Sequence, residues 1–116
     1  MMVNKKRFCF ACDLVNEPQL IEEYKAHHAQ GKAWPEIIES IKTAGILDME
    51  IYLVGNHLFM VIEVDESYSH ARKQQMDAKN HKVQEWEKMM DKFQQILPEA
   101  RKGEKWTEME QIFKLE

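Results

Sequence analysis

The sequence predicts an α+β fold of the ferredoxin-like βαββαβ type, a four-stranded antiparallel sheet carrying its helices on one face. Three observations predict it. β-rich runs at residues 8–14, 49–54 and 57–64 alternate with stretches whose apolar residues recur every three or four positions. Gly55-Asn56 separates the second and third runs, a two-residue link suited to the positive backbone angles of a tight hairpin. The 116 residues are about one domain's worth of chain, so one core spanning residues 1–116 is expected.

Each element has a local reason. Residues 8–14 end where Asn16, Glu17 and Pro18 read as a turn into a helix, with proline early enough that its missing N–H costs nothing. Leu20, Ile21, Tyr24 and His28 then form one helical face reaching about Ala29, and Gly31 breaks it. Trp34-Pro35-Glu36 reopens a helix with Ile37, Ile38, Ile41 and Ala44 as its apolar stripe and Gly45 as its stop; the two pieces read as one bent crossover. After the hairpin, Asp65, Glu66 and Ser67 offer caps for a polar helix with a break near Asn80, continuing through Val83, Trp86, Met89, Met90 and Phe93. Pro98 stops it. Residues 101–105 read as an exposed loop around Gly103, and residues 109–115 close the sheet as a last strand with Ile112 and Phe113 inside it.

A sheet covered by helices on one side leaves its other side bare. Several hundred Å² of apolar sheet in water is unusual for a monomer, so a homodimer covering these faces is expected.

Composition narrows the function. The hydrophobic share of 44% and charged share of 31% are those of a folding globular chain, which sets aside disorder. A net charge of −4 argues against a nucleic-acid partner, because phosphate binding calls for a strongly basic surface. No apolar run approaches the roughly 18 residues of a membrane span, and the first residues lack a signal-peptide core, so a cytoplasmic protein is expected. Cys9 and Cys12 have C-x-x-C spacing, but on a strand positions three apart point to opposite faces and cannot close a disulfide or share a metal.

Residues able to carry chemistry are few. Tyr24 and His28, four apart, share a helix face, and Trp34 follows just after the Gly31-Lys32 loop, so a phenol, an imidazole and an indole can line one cavity. Imidazole both gives and takes protons near neutral pH. Spacing alone cannot distinguish such a histidine from one that is merely packed. His27, about 100° around the helix, should not face the same site. His57, His70 and His81 show no ligand spacing, and a metal-free protein is expected. Glu63 interrupts the strand face that carries Phe59 and Val61; it is either hydrogen-bonded, for example to a sugar hydroxyl, or hydrated at the strand end. Trp86 and Trp106 can offer apolar platforms to a sugar ring or simply fill the core. With no glycine-rich phosphate loop, nucleophile elbow or metalloprotease signature, no cofactor is expected.

The run Glu23-Tyr24-Lys25-Ala26-His27-His28 followed by Ala33-Trp34-Pro35-Glu36 resembles the signatures of the L-rhamnose mutarotase family. So do Asp48-Met49-Glu50-Ile51-Tyr52-Leu53, Leu58-Phe59-Met60 through to Glu63, Val83-Gln84-Glu85-Trp86 and the closing Ile112-Phe113. The resemblance covers nearly the whole chain in order. It implies a dimeric ferredoxin-like α/β barrel whose pocket holds a monosaccharide, with His28 as proton donor and Tyr24 and Trp86 as substrate contacts. Trp34, Tyr52 and Glu63 complete the expected substrate-binding set.

The chain departs from that pattern in three places. Two residues are inserted between His28 and Trp34, through Gly31 and Lys32, and Met49 and Glu87 stand where some rhamnose enzymes have a strand tyrosine and a second helix tryptophan. The variant form is similar to relatives acting on L-fucose, so the resemblance implies exchange of the α and β anomers of L-rhamnose or L-fucose. Ring opening needs a proton at the ring oxygen and a base at the anomeric hydroxyl, where water, Glu63 and Tyr24 all qualify. The architecture also admits a cofactor-free oxygenase of aromatic compounds, or a metabolite-binding module without turnover.

Overall fold

Pairing of three long strands organises the computed structural model, which describes residues 6–115. The strands are β1 (Lys6–Leu14), β2 (Ile46–Val54) and β3 (His57–Val64), and β3 lies between the other two, antiparallel to both. The hairpin turn is as expected, with Gly55 at φ +60°. Asn56 takes no positive angle; instead its carbonyl accepts from the Leu14 N–H at 2.7 Å and its side-chain amide donates to the Leu14 carbonyl at 2.9 Å, tying the hairpin tip to the end of β1.

Four helices fill the crossovers: α1 (Pro18–His28), α2 (Pro35–Thr43), α3 (His70–Ala78) and α4 (His81–Met90). The predicted interruptions at Gly31 and Asn80 are real. Asn80 caps α4, its side chain accepting from the backbone of Lys82 and Val83. The cap of α3 is Ser69, which accepts from the Arg72 N–H. Asp65, expected there, instead folds back to accept from the Ser67 N–H and hydroxyl.

The sheet is ferredoxin-like with one correction. Its fourth position, beside β1, is filled by two short pieces, β4 (Gln94–Gln95) against Asp13 and Leu14, and β5 (Thr107–Glu108) against Phe10 and Ala11. Residues 109–115, expected as the last strand, form no regular pairing, and Ile112 and Phe113 are 89% and 75% exposed. Pairing ends after the Met109 N–H donates to the Cys9 carbonyl at 2.7 Å, and the exposed Glu110-Gln111 pair interrupts the apolar alternation that a covered strand needs.

Side chains on one sheet face meet the helices. Leu14, Leu58 and Ile51 pack with Tyr24, Ile37, Val83, Trp86, Met90 and Phe93, while Ile46, Ile62 and Val64 gather Phe8, Phe10, Met49 and Tyr68. The opposite face carries the cross-strand rows Tyr52–Phe59–Ala11 and Glu50–Val61–Cys9, flanked by Asp48–Glu63–Arg7, and among the described residues no helix covers it. The two cysteines part as expected. Cys12 is fully buried on the helix side, where burial and Asp13 push its thiol up to about 11, and Cys9 lies on the open face.

Gly45 is the joint between α2 and β2. It takes φ +95°, and a Cβ there would sit 2.5 Å from the Ser67 hydroxyl and 2.6 Å from an Asp65 carboxylate oxygen. Gly45→Ala is therefore expected to cost roughly 1–3 kcal/mol in urea unfolding. A variant as stable as the parent would show that this junction is slack.

Candidate active site

The end of α1 lies against α4 and the start of β4, and there the aromatic side chains converge. Pro18 opens α1 and the helix phase turns Tyr24 into the core at 4% exposure, with His28 one turn later stacked on its ring at 4.2 Å between centroids. Trp86, on the buried face of α4, meets His28 edge-on at 5.4 Å and Trp34 at 5.3 Å. Trp34 immediately precedes α2, its indole set by the Pro35 helix start. Of the six residues expected to form a site, Tyr24, His28, Trp34 and Trp86 are thus brought together.

Tyr52 and Glu63 are not. Both lie on the open sheet face, Tyr52 56% exposed beside Phe59 and Glu63 between Arg7 and Asp48, so within one chain the sheet itself separates them from His28. Strand alternation was enough to put Glu63 with Phe59 and Val61; which face the helices would cover was not readable. His27 corrects the expectation that only one of the paired histidines reaches this region. Its ring lies 6.4 Å from Trp86 and 5.6 Å from Phe93, because the bulk of those two side chains spans the angle between neighbouring helix positions.

Hydrogen bonding fixes the imidazole. The His28 Nδ1 lies 2.8 Å from the carbonyl oxygen of Tyr24, an acceptor only, so Nδ1 carries the hydrogen and neutral His28 presents an Nε2 lone pair. Burial lowers its pKa below the ordinary imidazole value; the Tyr24 carbonyl works in the opposite direction and His27 adds to the lowering. Burial also pushes the Tyr24 phenol up to about 12, so it remains protonated near neutrality.

Gln94 is the polar neighbour that sequence reasoning missed. Its Nε2 donates to the Tyr24 hydroxyl at 3.4 Å, and its Oε1 is buried with no partner among the described residues. No local pattern marked it, since Gln94 reaches Tyr24 only through the pairing of β4 with β1.

The departures at Met49 and Glu87 also have structural uses. Met49 packs into the core behind the sheet. Glu87 receives the Lys105 ammonium at 2.7 Å, and Asp91 shares it; together they hold that lysine above its ordinary range against the lowering effect of burial. The loop between β4 and β5 is thereby fastened to α4.

A helix-backed antiparallel sheet with an imidazole, a phenol and two indoles gathered at one end defines a ferredoxin-like α+β protein with an aromatic cluster under its helices. Comparison with known proteins resolves the class further. The family model for L-rhamnose mutarotase matches residues 7–115. An L-fucose mutarotase from Xanthomonas campestris pv. campestris is 38% identical over 113 residues, covering 97% of this chain and 90% of the relative. A UPF0734 protein from Dictyostelium discoideum is 37% identical over 96% of this chain and 90% of its own length. The crystal structure of an L-rhamnose mutarotase from Formosa agariphila superposes with a TM-score of 0.68, covering 96% of this chain and 99% of that one, at 24% identity. The chain belongs to the L-rhamnose mutarotase family, and is thus a carbohydrate isomerase. Membership decides against the oxygenase and the non-catalytic binding module.

Proposed function

We propose that the protein exchanges the α and β anomers of L-fucose, with L-rhamnose as the alternative sugar, and that His28 is its proton-transfer residue. The observation that carries this is the bond from Nδ1 to the Tyr24 carbonyl, which leaves Nε2 as the only ring atom able to exchange a proton with a ligand. Neutral Nε2 takes the proton of the anomeric hydroxyl as the bond from C1 to the ring oxygen opens, and the imidazolium so formed gives that proton to the departing ring oxygen, leaving the open-chain aldehyde, its new hydroxyl and a neutral ring; closure runs the same transfer backwards. Rotation about C1–C2 and reclosure give the other anomer. Only protons move, so the reaction calls for no cofactor.

Tyr24, Trp34 and Trp86 are proposed as substrate contacts, with Tyr24 donating a hydrogen bond and the indoles facing the less polar side of the pyranose. L-Fucose is placed first because the 38% identical relative bears that name and because Met49 and Glu87 are committed to the core and to Lys105. Saturation-transfer NMR on equilibrated L-fucose and L-rhamnose tests the assignment. Catalysed exchange of at least one sugar is expected, and neither responding at micromolar enzyme would refute it.

The proposal extends to assembly and place: one catalytic domain over residues 1–116, working as a cytoplasmic homodimer. In support of the dimer, the face bearing Phe59 and Val61 has no helix over it, and Tyr52, Val54, Ile112, Phe113 and Leu115 are all more than half exposed. No helix among the described residues is long and apolar enough to cross a membrane. Light scattering should give twice the chain mass for the parent and a single chain mass for Phe59→Glu. A parent protein of single chain mass would remove the dimer.

A further inference from the structure

A second cluster of titratable groups lies near the start of β1, apart from the aromatic cluster at its end. A cleft of about 700 Å³ is lined there by Lys6, Phe8, Asp65, Tyr68, His70 and Glu108, among others, and shares no lining residue with the His28 site. Within it, His70 is held at both nitrogens: Nε2 lies 3.3 Å from a Glu108 carboxylate oxygen and Nδ1 lies 2.7 Å from the Tyr68 hydroxyl. With a hydrogen on Nε2, facing the carboxylate, and none on Nδ1, the ring accepts from the Tyr68 O–H at Nδ1. The chain Glu108–His70–Tyr68 therefore ends in a phenol oxygen whose remaining lone pairs are available to a ligand. This is the carboxylate–imidazole–hydroxyl order that aligns proton relays elsewhere.

Packing makes the array firm. Phe8 lies edge-on to His70 at 4.7 Å and against Tyr68 at 5.9 Å, and the Tyr68 phenol is held above its ordinary range by burial and by Glu108 and Asp77. Phe8 belongs to the helix-side face with Ile62 and Val64, so a partner docked on the open face would leave this cleft accessible. Asp65, Glu66 and Glu108 against Lys6 repel an anion. Asp65 accepts from Ser67 and Glu108 lies against His70, so these two carboxylates already have partners, and the Tyr68 oxygen and the Phe8 ring are what the cleft offers a neutral hydroxylated ligand.

We propose that this cleft is a second binding site, for a neutral polyhydroxylated ring such as a monosaccharide, with the Tyr68 oxygen accepting a ligand hydroxyl and Phe8 supplying an apolar floor. It does not depend on His28 being catalytic. Side-chain NMR of the full chain, following the His70 and His28 ring signals separately, tests it with L-fucose as probe and tetramethylammonium as the cationic control.

The His70 signals should move saturably with L-fucose at a midpoint different from that of His28. Tyr68→Phe keeps the ring and removes the hydroxyl, and should weaken the His70 response roughly threefold to tenfold, the worth of one hydrogen bond. Anomer exchange and the His28 titration should change by less than about twofold. Glu108→Gln, which disturbs the same chain from its other end, should weaken the response likewise. His70 signals that stay still, that respond only to tetramethylammonium, or that are equally sensitive to L-fucose in both variants would overturn the proposal. Loss of response at His28 alone would bear only on the mutarotase mechanism.

Discussion

His28→Ala is expected to lower the catalysed exchange of L-fucose anomers roughly 10²–10⁴-fold, the usual contribution of positioned acid–base catalysis. The magnitude follows from the site's economy. Near neutrality Tyr24 keeps its proton, Glu63 lies across the sheet, and Nε2 of His28 is the group able both to accept and to return one. Saturation-transfer rates of parent and variant, measured at sugar concentrations well below saturation, check it; equal rates would move the chemistry elsewhere.

The same histidine sets the acid side of the pH response. Because its pKa is lowered by burial, activity that needs the neutral ring should persist below pH 6.5 and fall only as pH drops through the depressed value. The stability consequence has a definite sign. An unfolded chain binds a proton near pH 6.5 where the folded one does not, so this contribution is present above that pH and is lost as pH falls toward the folded pKa. Urea unfolding between pH 7.5 and 5 should therefore show a steeper loss for the parent than for His28→Ala. Parallel curves would mean that the ring is solvated.

Trp86→Ala should be the most damaging substitution to the fold among the site residues, at roughly 3–5 kcal/mol. Trp86 is 6% exposed and joins α4 to α1 and α2 through His28, His27 and Trp34, so its removal opens a cavity where three helices meet. A fall in Tm of the order of 10 °C or more is expected by calorimetry. Trp86→Phe, which retains most of the apolar volume, separates packing from recognition: it should recover most of the stability while KM for L-fucose rises. Wild-type stability in Trp86→Ala would show that the helices pack without it.

Much of this arrangement was legible in the chain. The Tyr24–His28 spacing fixes a shared helix face wherever the helix lies, and Gly55-Asn56 fixes the hairpin because only its glycine needs the positive angle. The break at Gly31 was readable for the same local reason, and that at Asn80 because its side chain caps the helix that follows. The last strand was not. Residues 109–115 have strand composition, but pairing depends on what the sheet as a whole can bury, and beyond the bond from Met109 to Cys9 the tail leaves Ile112 and Phe113 exposed.

The sequence by itself determined the order of elements, the helical phase that stacks His28 on Tyr24, and the family. Only the tertiary structure decided which sheet face the helices cover, placing Glu63 and Tyr52 away from the imidazole and bringing Gln94 and Phe93 to Tyr24. It alone joined Tyr68 and His70 to Glu108. The division is physical: periodicity and turn chemistry act between residues a few positions apart, whereas layer choice and strand register are settled by the burial of the whole apolar surface at once.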